Sequence, residues 1–166
     1  GSILAGGTTV RGVGLTEALA KTAAYLRDHP LHAQKAHCGW GVASAHWHQQ
    51  GLPGGLPTSS AQVRLNEDGT LTLFTANPDS GGGQHVIFRQ IISEVLKVPC
   101  DAIRVVAADT DINTEDGGTG AQRTTYQVGM TVKLAAESLK QQLLEIASDR
   151  LEVSAGDLEI TAGKVS

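Results

Sequence analysis

Two glycine-rich stretches carry the residues best suited to hold a ligand: Asp79-Ser80-Gly81-Gly82-Gly83-Gln84-His85 and Asp116-Gly117-Gly118-Thr119-Gly120-Ala121-Gln122-Arg123-Thr124. Each runs into a segment of helical periodicity, and bare backbone N–H groups at a helix start bind anions, phosphate above all. Glycine also turns the chain through positive φ and lets backbone approach a ligand closely. In the second stretch the Arg123 guanidinium could clamp a phosphate or stack on a ring, with Thr119, Gln122 and Thr124 as hydroxyl and amide partners. Taken singly, each stretch reads more readily as a plain turn, in the second case with Arg123 paired to Asp109, Asp111 or Glu115. Neither Gly-x-Gly-x-x-Gly nor a Gly-Lys-Ser/Thr ending is present, so a nicotinamide-type dinucleotide is not supported. Both stretches follow strands, and in one sheet they would converge at its carboxyl edge, where open α/β sheets take ligands.

Other chemistry-bearing residues are less well placed. His46 and His48 would share one side of a strand, with His37 and Cys38 just upstream, but no further ligand stands at a recognised metal spacing. Asp109, Asp111 and Asp116 form an acidic loop cluster without a cation-binding pattern. No nucleophile elbow, His-Glu-x-x-His pair or glycosidase-like carboxylate pair occurs, and no catalytic residue and no metal ligand is assigned.

The elements that must position the loops follow from periodicity. Leu19, Ala23 and Leu26 recur at helical spacing over 16–27, with Thr16 as cap and Pro30 as terminator. Alternation over 39–48 predicts a strand, and 49–60, rich in glycine and proline, reads as a loop. Ala61, Val63 and Leu65, a turn at Asn66-Glu67-Asp68-Gly69, then Leu71, Leu73 and Thr75 predict a β-hairpin. A helix over 85–98 carries Ile87, Ile91, Val95 and Val98, with Phe88, Ile92 and Leu96 widening the face, and closes at Pro99. A strand over 103–108 follows, and a strand–helix–strand succession pairs in parallel through a right-handed crossover. A long helix over 125–151 has Val128, Val132, Ala135, Leu139, Leu143 and Ile146 on one stripe. Residues 157–165 read as a strand and turn whose return strand is cut off at Ser166.

The fold class is therefore α/β (α+β): a mixed sheet with a β-hairpin and two or three packed helices. The chain has 166 residues, enough for one domain with an ordinary core. Residues 1–12 read as a tag or leading extension, with Gly1-Ser2 as a cloning remnant, and 13–166 as the domain. Net charge is −4, from 13 basic and 17 acidic residues without a basic run, which argues against nucleic acid as a partner. No apolar run approaches the ~20 residues of a membrane span. The two cysteines, Cys38 and Cys100, sit in unlike contexts and suggest no disulfide framework. The compartment stays open between cytoplasm and periplasm.

The order of these blocks resembles the large, molybdopterin-binding subunit of the xanthine dehydrogenase and aldehyde oxidase family. The matching words are Ser60 to Leu73, Gly81 to His85, Gln90 to Pro99, Ile103 to Val106, Asp109-Thr110-Asp111 and Gly118 to Arg123. The resemblance implies that this is part of a larger molybdopterin-binding domain. It further implies that Gly81, Gly82, Gly83 and Gln84 lie at the molybdenum end of the pterin, and that Gly120, Ala121, Gln122, Arg123 and Thr124 contact the pterin and its phosphate. That family usually reads Gly-Gln-Gly in the first loop; aligned on His85, Gly82 stands at the glutamine position, and Gln84 is the alternative source of that side chain. The implied parent hydroxylates an aldehyde or an N-heterocycle with oxygen derived from water. Electrons would leave through iron–sulfur clusters, with FAD as a further group on partner subunits or domains. A glutamate base and the substrate pocket would lie in the remainder of the subunit, so this chain is expected to be inactive alone. The other readings are a free-standing binding module for a phosphorylated small molecule and a structural or assembly domain.

Overall fold

The computed structural model describes residues 2–3, 9–10, 14–29, 37, 41–45, 58–113 and 115–166. The chain divides into two units, Gly1–His46 and Trp47–Ser166.

In the first unit, β1 (Ser2–Ile3) and β2 (Thr9–Val10) pair antiparallel. Helix α1 (Leu15–Asp28) begins one residue earlier than expected, with Gly14 and not Thr16 at its cap and no side-chain capping bond. It ends where His29 returns its backbone N–H to the Tyr25 carbonyl at 3.0 Å and stacks its ring on Tyr25. None of its residues is buried. Of the strand expected over 39–48, Gly41, Val42, Ala43, Ser44 and Ala45 have no regular structure and are exposed. Their small side chains offer little surface to bury against a neighbouring strand. The rest of that stretch, with His46 and His48, lies outside the described residues, as do Cys38, Pro30 and most of the 49–60 loop.

The second unit is built on a three-stranded sheet in the order β3 (Ala61–Leu65), β4 (Leu71–Thr75), β5 (Ile103–Ala107). The β3–β4 hairpin is antiparallel, and Gly69 at φ 83° supplies the left-handed turn residue. β4 and β5 pair in parallel, Thr75 opposite Ala107, joined through α2 (Gln84–Leu96). The sheet is mixed, as its strand–helix–strand order requires.

Helix α2 lies against β5, and α3 (Gly129–Leu151) against β3 and α2, all on one side of the sheet. Leu71, Leu73, Ile103, Phe88, Ile92, Leu96, Val128, Val132, Ala136 and Ile160 make the core. On α2 the fully inward row is Gln84, Phe88, Ile92 and Leu96, while Ile91 and Val95 flank it. The spacing-based stripe through Ile87 and Val98 is thus displaced by one position, because both the sheet and α3 cover this helix. Lys97, left-handed at φ 52°, ends α2 before Val98. Gly129 lets α3 come close to α2: a Cβ there would meet Ile91 Cδ1 at 3.1 Å.

The long helix opens with a π-helical turn, Thr124–Val128, where an α-helical start was expected. The inward row is Val128, Val132 and Ala136, so Ala135 of the expected stripe is only half-buried, and Ile146 is 54 % exposed. A helix of this length runs about 35 Å, roughly twice a five-residue strand, so its end outruns the sheet. The terminal hairpin closes within the chain: β6 (Ile160–Thr161) pairs with β7 (Lys164–Val165). The expectation of a severed return strand is corrected, since a two-residue turn at Ala162 and Gly163 suffices. Among the described residues, no helix is long and apolar enough to cross a membrane.

Candidate functional site

The two glycine loops leave the carboxyl ends of the adjacent parallel strands β4 and β5. Each is held by its own acid. In the first, Asp79 Oδ1 accepts the amides of Gly81 at 3.0 Å and Gly83 at 3.1 Å. Gly81 and Gly83 both have positive φ, 99° and 73°, which gives that turn its need for glycine. The Gly81 hydrogen bond foremost, with those of Gly83 and His85, holds the Asp79 carboxyl below the ordinary carboxylate range, although burial opposes them. Gln84 completes the closure: its Oε1 accepts from the Gly82 amide at 3.1 Å, and its Nε2 donates to Ser80 Oγ at 2.9 Å. That carboxamide lies over Gly82, 3.2–3.4 Å from where a Cβ would stand. The amides of all three glycines are thereby engaged, and a carboxylate already occupies the anion position ahead of α2.

The second loop is built around Arg123, whose side chain is 3 % exposed. Nε donates to Gln127 Oε1 at 2.8 Å; Nη1 donates to Asp116 Oδ1 at 3.0 Å and the Gly118 carbonyl at 2.5 Å. Nη2 donates to the Thr58 carbonyl at 3.1 Å and to Ser59 Oγ. All five donors of the fork are taken by the chain itself. The partner acid is Asp116, with its side chain 1 % exposed, in place of Asp109, Asp111 or Glu115. Thr58, Ser59 and Ser60, the end of the expected loop 49–60, are pinned here: Gly117 N–H bonds the Thr58 carbonyl, and Ser60 Oγ bonds the Glu115 carbonyl.

Beside that buried pair the backbone makes a tight turn, with Ala121 buried and Gln122 exposed. Ala121 at φ 44° and Gln122 at φ 55° are successive left-handed residues, a conformation that costs a side-chain-bearing residue roughly 1–2 kcal/mol. Such strain collects at ligand-binding turns. Arg123 N–H closes the turn on the Gly120 carbonyl at 2.9 Å, while the Ala121 and Gln122 amides have no acceptor among the described residues. A left-handed turn aligns successive N–H groups, and here it leads into the π-helical start of the longest helix. Gln122 is exposed; Thr124 is buried, its hydroxyl donating to Thr119 Oγ1 at 3.4 Å. Successive amides exposed in this way are the arrangement from which anion-binding concavities are built.

One residue that periodicity and motif did not single out joins the loops. Asn77, 0 % exposed, donates from Nδ2 to Asp116 Oδ1 at 3.2 Å and accepts at its carbonyl from His85 Nε2 at 3.2 Å. The only local signal for it is its place just after β4 and before Pro78, which biases Asn77 to extended backbone. His37 is an exposed turn residue in the other unit. Among the described residues no group of three His, Cys, Asp or Glu side chains could hold a metal ion.

Residues 12–166 match the family profile of the molybdopterin cofactor-binding domain. The chain is 30% identical over 111 residues to the xanthine dehydrogenase molybdenum-binding subunit of Escherichia coli O157:H7, covering 66% of this chain and 15% of that protein. It is 32% identical over 93 residues to the carbon monoxide dehydrogenase large chain of Afipia carboxidovorans, covering 56% of this chain and 12% of that one. Among solved structures, quinoline 2-oxidoreductase from Pseudomonas putida 86 superposes with a TM-score of 0.62 at 29% identity, over 67% of this chain and 14% of that chain. The chain thus spans about 15% of the length of the curated relatives it matches.

Proposed function

Because the chain belongs to the molybdopterin cofactor-binding domain family, we propose that it forms part of the cofactor site of a molybdenum hydroxylase, acting within a larger subunit and inactive alone. The left-handed Gly120-Ala121-Gln122 turn carries this reading. Among the described residues its Ala121 and Gln122 amides are unengaged, and the buried Arg123–Asp116 ion pair directly follows it.

In this reading Gly120, Ala121, Gln122 and Thr124 meet the phosphate end of the pterin, the first three through the turn and Thr124 through its hydroxyl at the helix start. Arg123 acts from behind as a positioning residue, since its donors are already engaged. Gly81, Gly82 and Gly83 meet the other end of the cofactor through bare Cα surface and carbonyls, because Asp79 and Gln84 occupy their amides. Gln84 holds that loop flat over Gly82. The cofactor, when bound, supplies two-electron redox chemistry for inserting water-derived oxygen into an aldehyde or N-heterocycle. This chain orients it and assigns no base of its own. Iron–sulfur and FAD partners, a small-molecule substrate and the remaining part of the subunit complete the proposed enzyme.

The test is to purify the polypeptide carrying this chain from molybdate-supplied cells and to quantify molybdenum and pterin. Both are expected in near-equal amounts with the protein. Folded protein devoid of both, with phosphate or a phosphorylated metabolite stabilising it instead through ordinary ligand linkage, would sink the proposal and favour a binding module.

A further inference from the structure

The three-stranded sheet ends at β5, one margin of the order β3-β4-β5. Ala108 N–H donates to the Thr75 carbonyl at 3.3 Å, one step past the register that sets Thr72 opposite Arg104 and Phe74 opposite Val106. Backbone groups of successive strand residues point to opposite neighbours. Arg104, Val106 and Ala108 therefore face β4, while Val105 and Ala107 turn their N–H and C=O groups outward. Among the described residues nothing bonds those outward groups. The margin is also unguarded: its register with β4 has no bulge, the strand contains no proline, and Arg104 is its one charge. Strands in parallel pairing are normally buried on both faces, yet Val105, Val106 and Ala107 are only half-buried. Val106 stands on the side of the sheet away from the helices, beside the half-buried Phe74. Arg104 on that same side is exposed and has no ion pair among the described residues. The opposite margin differs, since α3 packs against β3 and that strand carries the exposed polar Gln62 and Arg64.

We infer that the β5 margin is a docking edge for an extended segment of the larger subunit, added as a further strand beside β5 with an acidic side chain next to Arg104. Unpaired N–H and C=O groups at strand spacing are matched by another extended backbone, which fixes the form of the occupant. Val106 and the unpaired Arg104 fix its side chains, apolar with one acid. A second copy of this chain fits worse, because it brings its own Arg104 to the same sheet face, like charge beside like charge. The inference rests on the reading of the chain as part of a larger subunit, of whose curated relatives it spans about 15%. The consequence for the site is positional. Beyond Ala107 the chain borders a hollow of about 380 Å³, lined among others by Ala108, Asp109 and Asp116, at the start of the second glycine loop. A strand laid along β5 brings residues of the remaining subunit up to that loop.

The experiment is residue-resolved amide hydrogen exchange on the larger polypeptide, unsubstituted and with Arg104→Glu. Val105 and Ala107 are expected to exchange about as slowly as Val106 and Ala108, whose amides β4 holds. Exchange about a hundredfold faster at Val105 and Ala107 is the mark of a free margin and overturns the inference. Arg104→Glu is expected to speed Val105 and Ala107 about tenfold while Val106 and Ala108 keep their rates. Unchanged rates at Val105 and Ala107 in that variant overturn the acidic occupant. Protection that falls as the polypeptide is diluted assigns the margin to a second copy or a separate chain and overturns the inference as well. Should Arg104→Glu fail to fold, Arg104→Gln takes its place with the same outcomes. Absence of molybdenum and pterin would defeat the cofactor reading without altering these rates, whereas a free margin in a molybdenum-loaded polypeptide would defeat this inference alone.

Discussion

Arg123 and Asp116 form a buried ion pair, Nη1 to Oδ1 at 3.0 Å, with 3 % and 1 % of their side chains exposed. Removing one member strands the other charge, so Arg123→Ala is expected to cost about 3–5 kcal/mol in chemical denaturation. Arg123→Lys keeps the charge but not the five-donor fork, and should recover less than half of the loss. In the larger polypeptide, Arg123→Ala should also lower molybdenum content; unchanged content would remove Arg123 from the proposed site.

Asp79 predicts how the first loop responds to acid. Its folded-state pKa is depressed, chiefly by the Gly81 hydrogen bond, so its contribution is present above the unfolded carboxylate pKa of about 3.9. It is lost as pH falls through the still lower folded value. The Gly81 and Gly83 amide shifts should therefore hold steady from neutral pH to about 4 and titrate only below that, a transition absent in Asp79→Asn.

Gly82→Ala tests the fold of Gln84 over the first loop. The new Cβ would come within 3.2 Å of Gln84 Nε2, the far end of a flexible side chain that can move aside. The expected loss is about 1 kcal/mol, for the hydrogen bond from the Gly82 amide to Gln84 Oε1. A loss several times larger in thermal unfolding would mean that the carboxamide cannot move.

Ala121 sits at φ 44° and is 8 % exposed. A β-branched residue is least tolerant of that conformation, so Ala121→Val should destabilise by roughly 1–2 kcal/mol or more. Ala121→Gly should be close to neutral, because relieved strain offsets the added unfolded-state freedom. Equal stability of the two variants would argue against a strained turn.

The hairpin at 61–75, helix α2 and most of the long helix were legible in the residue order because their signals are local. Alternation of apolar residues, turn-forming Asn66 to Gly69, and 3.6-residue periodicity act between near neighbours. The parallel pairing of β4 with β5 followed from the helix between them. The ordered blocks likewise pointed to the family, and the two loops to one sheet edge.

Tertiary structure decided what periodicity could not. Which row of α2 faces inward depended on being covered from two sides, and how far the α3 stripe stays buried depended on where the sheet ends. The partner of Arg123 was open among several acids, because the choice is made by Thr58 and Ser59, more than sixty residues away in sequence. Asn77 carries no motif at all, since its contacts form only when the end of β4, the second loop and His85 meet. Sequence alone determined that two glycine turns would end adjacent strands; packing determined that one is closed by its own carboxylate and that the other holds its amides open.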